Sequence, residues 1–235
     1  MIYRPDNLPP VTATMGICIF GDVVGSREQP SAATAWLERL RGHLETTCPH
    51  RLAAFEFTQG DEIQGLLPID SDALTPVLDA MLQPHDRPGG PPHMRWVIAA
   101  GRIDPGEGPA TKRTGEAFLA ARALITEAHR DGDGLRCATG DDEADELLQD
   151  VAPVLASLID RMTDRQREVL HLQAIDRMRQ EEIADRLGVS QPAISGVLAR
   201  AGARDVARLT AAVRTLLRDG IRRSLRVDSP GREVR

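Results

Sequence analysis

GICIFGDVVGSR, residues 16–27, opens the part of the chain that decides the fold. Its first five residues, Gly16 to Phe20, form a short apolar run suited to a buried strand. Reading outward from it, Ser31 to about Thr47 has the spacing of a helix, and Leu52 to Phe57 alternates like a half-buried strand. Gly60-Asp61 supplies a turn, and Glu62 to Leu67 returns as a second strand. A helix-like stretch from Asp72 to Leu82 leads to a strongly apolar strand, Met94 to Ile103. The order βαββαβ is the ferredoxin-like arrangement, in which the first and third strands are neighbours. A loop (Asp104 to Thr114), a helix (Gly115 to Arg130) and a strand (Leu135 to Thr139) follow it. The acidic stretch Asp141 to Asp150 then begins a helix, with negative charge where the helix dipole favours it.

From Thr163 onward the pattern is wholly helical. Thr163 and Gln166 are spaced as a capping box ahead of Val169, Leu170 and Leu172. EEIADRLGVSQPAISGVLARA, residues 181–201, reads as helix, tight turn, helix, with Gly188 as the turn and Ser190 as the cap of the second helix. A final amphipathic helix spans about Arg204 to Arg218, and the Arg-, Gly- and Pro-containing end is expected to be mobile. The expected fold class is therefore α+β: a ferredoxin-like domain over residues 1–157, an all-α helix-turn-helix domain over 158–219, and a flexible tail over 220–235.

Composition agrees with two soluble domains. The chain has 235 residues with a hydrophobic content of 41% and a mean hydropathy of -0.28, enough for an ordinary core. No apolar run approaches the roughly 20 residues of a membrane span, and MIYRPDNLPPVTATM lacks the basic-then-apolar order of a secretion signal, so no membrane partner and a cytoplasmic location are expected. Cys18, Cys48 and Cys137 stand far apart, suggesting neither a disulfide framework nor a zinc site. The six histidines are scattered, none at metal-ligand spacing from an acid or cysteine, and read as surface or core residues. The net charge of -6 hides an asymmetry: residues 1–157 sum to -11 and residues 158–235 to +5, with arginine the only basic type in the second part. A basic segment of that kind is a modest electrostatic footprint for nucleic acid.

The helical segment carries the sharper signal. A helix-turn-helix needs a small residue where its two helices touch, a glycine in the turn, and apolar anchors on both. Ala184, Gly188 and the set Ile183, Leu187, Val189, Ile194 and Leu198 supply these. Ser190, Gln191, Ser195 and Arg200 then face outward, able to bond phosphates or base edges of double-stranded DNA. Together with TDRQREVLHL before it, the segment of about 160 to 201 resembles the helix-turn-helix of sigma factor region four and of LuxR-type regulators. A DNA-reading module of this size implies a homodimer on paired half-sites. The competing reading is a small helical bundle for protein contacts.

In the first domain two carboxylates stand out, Asp22 at the end of the first strand and Asp61 at the hairpin. Adjacent first and third strands can bring them to one point, as magnesium requires. Gly21, Gly25 and Ser26 lie in a strand-to-helix loop of the kind that aims backbone N–H groups at phosphates. FGDVVGSR, QGDEIQG, RWVIAAGRI and GEAFLAARAL together resemble the class III nucleotide cyclase domain, and more closely the SatD family, over about residues 15 to 140. That resemblance implies Asp22 and Asp61 as magnesium ligands. It also implies a site for a purine nucleotide of GTP or ATP type formed by Gly21, Asp22, Val23, Val24, Gly25, Ser26, Arg27, Gly60, Asp61 and Arg122. Phe118 stands four residues before Arg122 where cyclases carry an asparagine, and Phe57 replaces a lysine four residues before Asp61. Binding is thus better preserved than catalysis, because losing one charge-stabilising donor commonly costs roughly a hundred- to a thousandfold in rate. The expectation is a transcription regulator and not an enzyme. An active cyclase with a helical appendix and a ligand-independent dimeric DNA-binding protein are the alternatives.

Overall fold

The computed structural model describes residues 14–24, 30–58, 61–83 and 93–227, with residues 30–35 described by their backbone. Five strands form one sheet: β1 (Thr14–Val23), β2 (Ala53–Phe57), β3 (Glu62–Pro68), β4 (Met94–Ile103) and β5 (Leu135–Ala138). Their order is β2-β3-β1-β4-β5. β1 pairs antiparallel with β3 and β4, and β5 joins β4 in parallel. The first four strands, with α1 (Pro30–Thr47) and α2 (Leu74–Met81) between them, are the ferredoxin-like unit. The expected neighbourhood of first and third strands is present. In the stretch after β4 read as a loop, one 3₁₀ turn forms at Ala110–Lys112. The helix α3 (Glu116–Asp131) then leads into β5.

Alternation along β1 divides the core between the two faces of the sheet. Ile17, Ile19 and Val23 point to the face covered by α1, α2 and the C-terminal helices, whereas Cys18 and Phe20 point to the face covered by α3. Gly21 belongs to the first face, and a Cβ there would meet the Trp96 ring at 2.7 Å, so the glycine lets the indole lie flat against the strand.

The C-terminal half is helical: α4 (Asp142–Asp160), α5 (Asp164–Ala174), α6 (Gln180–Leu187), α7 (Gln191–Arg200) and α8 (Ala203–Val227). Asp141 caps α4 by accepting from the Ala144 amide, and the Thr163–Gln166 capping box opens α5. The boundary expected between residues 157 and 158 falls inside α4, whose buried face runs unbroken from Ala144 through Leu148, Ala152 and Leu155 to Ile159. One continuous core joins the sheet to all five of these helices. Arg167 on α5, almost fully buried, ties the junction: it donates to the Met81 carbonyl at the end of α2 (2.8 Å) and to the Asp160 carbonyl at the end of α4 (3.1 Å). A cation at two helix C-termini is where both dipoles favour one.

The expectation of a mobile tail from residue 220 is corrected by α8, which runs to Val227; residues 228–235 lie outside the described set. Gly220 is not a helix terminator. A Cβ there would lie 2.5 Å from Thr139 Oγ1 and 2.6 Å from Ala144 Cβ, so the glycine allows α8 to approach α4 and the end of β5 closely. Arg223, one turn further, clamps Asp141 with bonds of 2.7 to 3.0 Å.

Candidate functional site

The register of the sheet sets three charged side chains in one row: Glu62 on β3, Asp22 on β1 and Arg95 on β4. Directly paired residues share a face, here the one covered by α3. Asp22 is 8% exposed, and its Oδ2 accepts no hydrogen bond from any described residue. His129 Nε2 stands 2.8 Å from that oxygen without the alignment of a hydrogen bond, and an Arg95 nitrogen is 3.9 Å away. Burial pushes the Asp22 carboxyl above the usual carboxylate range; His129 opposes this, and the charges of Asp61 and Glu62 add to it. Asp61, half-buried at the hairpin, is therefore close enough to be felt by Asp22.

Arg122 and His129 are seven residues apart on α3, two turns along one face, and reach the two ends of the acidic row. Arg122 bonds Glu62 Oε2 at 2.5 Å and lies 5.1 Å above the Phe20 ring. Phe118 packs against Phe20 with ring centroids 6.1 Å apart, so residue 118 holds a core aromatic.

Other members of the expected phosphate loop sit differently from the reading of the sequence. Val23 is still in β1, its side chain buried, and the Val24 amide donates to the His93 carbonyl at 2.8 Å. That amide is spent on the sheet and is not offered to a phosphate. Gly25, Ser26, Arg27 and Gly60 lie outside the described residues. Sequence reasoning missed Glu62, Arg95 and His129; strand pairing and the two-turn spacing on α3 were the signals that could have found them.

Two further histidines pair with an acid that is distant in sequence. Besides His129, His43 Nε2 lies 2.6 Å from Asp79 Oδ2, and His171 Nε2 lies 2.7 Å from Asp79 Oδ1. Pairing across 36 and 92 residues of sequence is invisible to local spacing. Asp79 stands on α2, so this network bridges the sheet unit and α5. Among the described residues, no group of three or more His, Cys, Asp or Glu side chains could hold a metal ion by itself.

At the helix-turn-helix, α6 ends on Gly188 in the left-handed conformation (φ 64°), with the Val189 amide returning to the Ala184 carbonyl at 3.0 Å. Ala184, Ile183, Ile194 and Leu198 are buried between α6 and α7. Val189, expected among the anchors, is 38% exposed, because the turn carries it away from the interface. Ser190 takes the cap position of α7 but makes no side-chain cap bond, which leaves its hydroxyl free for another partner. Ser190, Gln191 and Arg200 are exposed, as is Ser195, and Gln191 bonds Gln180 on α6 at 2.8 Å.

Residues 154–201 match the family described as Sigma-70, region 4. Two solved structures of a bacterial light-regulated adenylyl cyclase are similar to the chain at 13% identity. One has a TM-score of 0.40 and covers 57% of this chain and 45% of its own; the other has a TM-score of 0.35, with 55% and 45% covered. The chain thus spans less than half the length of those structures. A comparison with curated proteins found no match. Among the described residues no helix is long and apolar enough to cross a membrane. Residues 154–201 thus carry a helix-turn-helix similar to sigma-70 region 4, a match that indicates DNA binding, and it is joined to an α+β sheet domain.

Proposed function

We propose that this chain is a homodimeric transcription regulator whose sheet domain binds a purine nucleotide of GTP or ATP type with magnesium, and that this binding changes its affinity for double-stranded DNA. The observation that carries the nucleotide reading is Asp22: a buried carboxylate, one oxygen without a hydrogen bond, with Asp61 beside it. Magnesium is commonly held by one or two carboxylates plus phosphate oxygens, so these two acids fit it without a third protein ligand. Asp22 and Asp61 would hold the ion, which supplies charge neutralisation for the phosphates. His129, half-exposed on α3 and 2.8 Å from Asp22 Oδ2, is the group that would have to give way to a bound ion. Arg122, exposed and ion-paired with the neighbouring Glu62, would be free to reach the nucleotide. Phe118 gives no donor to developing charge, which argues for binding without turnover.

Coupling to DNA has a physical route, since the helix-turn-helix shares one core with the sheet. Ligand and DNA then affect each other reciprocally. A thermal-shift screen with purine nucleotides, with and without magnesium, tests the site, because a ligand of the folded state alone must raise its stability. The expected result is a magnesium-dependent rise that disappears in Asp22→Ala and a change in operator affinity with the same nucleotide. A flat response to every nucleotide overturns it, and a cyclic product would replace binding by catalysis. Arg200→Ala is expected to weaken DNA binding by about tenfold, the scale of one lost base or phosphate contact.

A further inference from the structure

α8 does more than carry α7. Along its middle, Leu217, Ile221 and Leu225 recur every fourth residue, and Arg214, Arg218 and Arg222 form a parallel stripe beside them. These two stripes wall a cavity of about 450 Å³. Its floor is the sheet and the start of α2, with Ile17, Ile98 and Leu74, and its rim is the β3–α2 turn, Asp70 to Asp72. A cavity of this size with an apolar floor and a few polar groups at the mouth is what small-molecule sites look like.

Charge at the mouth selects the head group. Arg214 is spent on Asp72 and on the Thr75 hydroxyl, and Arg218 on Asp219. Arg222 is exposed and makes no ion pair among the described residues. Arg222 acts on the Asp219 carboxylate through its charge but forms no ion pair with it, and a guanidinium so placed beside an apolar chamber suits one carboxylate on an apolar body. A dianionic phosphate would require a second arginine, and both others are held by acids. The opposite side of the sheet carries the Asp22 row, so the cavity is separate from the proposed nucleotide site.

We infer that the chamber between α8 and the sheet binds a small amphipathic carboxylate, its chain against Ile17, Ile98 and Leu217 and its head on Arg222. Occupancy braces α8 against the sheet. Because α8 also packs on α7, such a ligand acts on the element that seats the DNA-reading helix.

The test uses the full-length protein and decanoate as probe, with decanol as its uncharged twin, read by displacement of anilinonaphthalene sulfonate and by thermal midpoint. Saturable decanoate binding with a raised midpoint is expected, weakened by about tenfold in Arg218→Glu/Arg222→Glu, while decanol binding is unchanged by that substitution. The variant loses the Arg218–Asp219 pair, so each ligand shift is read against the variant's own midpoint without ligand. Ala73→Leu, which fills the chamber from its wall, is expected to abolish binding of both probes. Asp22→Ala is expected to bind decanoate as the wild type does, so failure of the nucleotide reading leaves this one standing. Decanoate affinity that is indifferent to the charge reversal, or that falls in Asp22→Ala, overturns the assignment.

Discussion

Asp79 and Asp22 are both buried aspartates, 4% and 8% exposed, on opposite sides of one sheet, and the molecule treats them in opposite ways. Asp79 receives His43 and His171 at 2.6 and 2.7 Å and Gln83 at 3.1 Å. Burial pushes its carboxyl up, but the hydrogen bonds from His171 and His43 outweigh burial and hold it well below the usual carboxylate range. Asp22 keeps an oxygen with no hydrogen bond from any described residue, and burial raises its carboxyl. A buried charge with its hydrogen bonds made holds elements together; one with an oxygen that no described residue bonds is a candidate for an outside partner. On physical grounds alone, then, Asp79 belongs to a structural junction and Asp22 to a candidate site.

The largest expected effect lies at the junction. Asp79→Ala removes the acceptor of three side chains, and with hydrogen bonds to a charged group worth about 1.5–3 kcal/mol each, less the adjustment of the half-exposed His43, the loss should be about 3 kcal/mol. Urea unfolding measures it. The same variant has a pH signature. Asp79, lowered in the folded state, contributes stability above its ordinary value of 3.8 that is lost as pH falls through the folded value. His43, raised by its bond to Asp79, contributes stability that is complete below its ordinary value of 6.5 and is lost as pH rises through the folded value. The gap between wild type and Asp79→Ala should therefore be widest between about pH 4 and 6.5 and narrow on both sides. A gap independent of pH would mean that the network is not ionised as the geometry suggests.

A second contrast concerns two helical glycines. A Cβ added at Gly42 on α1 would meet nothing within 4 Å, whereas at Gly220 the same atom collides with Thr139 and Ala144. Gly42→Ala should stabilise by about 0.5–1 kcal/mol through helix propensity. Gly220→Ala gains the same propensity but must push α8 from α4, at a cost of about 1–3 kcal/mol, so a net loss of about 1 kcal/mol is expected. Thermal melts of the pair decide whether close approach or chain entropy rules at residue 220.

That glycine also marks where the sequence is hard to read. The strands are legible because their alternation is local: Met94 to Ile103 is the same in the reading and in β4, and the hairpin differs by one residue at each outer end. The helix-turn-helix is legible because Ala184 and Gly188 answer a local steric demand. A glycine needed for contact between helices looks in sequence like one that ends a helix, so the sequence pattern stops at Arg218 while α8 continues to Val227. His129, Glu62 and Arg95 escape a sequence reading because what joins them to Asp22 is strand register and the packing of α3, neither of which a local pattern carries. Conversely, Val24 looks free for phosphate in sequence only because its bond to His93 crosses from β1 to the start of β4.

The smallest expected change is the sharpest test of the comparison. Asp22 is raised in the folded state, so the native protein holds this proton more tightly than the unfolded chain, and stability falls as pH climbs from 3.8 through the folded value. Above that window the wild type carries a constant penalty for a buried, incompletely bonded carboxylate. Asn keeps the shape without the charge. Asp22→Asn should therefore raise stability slightly at pH 7–8, by less than about 1 kcal/mol, and flatten the acid limb, while removing the magnesium-dependent response to nucleotide. Gain of stability with loss of ligand response is the mark of a residue kept for binding at the expense of the fold. If Asp22→Asn instead destabilises as Asp79→Ala does, His129 and Arg95 already satisfy the carboxylate, and the row on the α3 face is a structural ion network like the one at the junction.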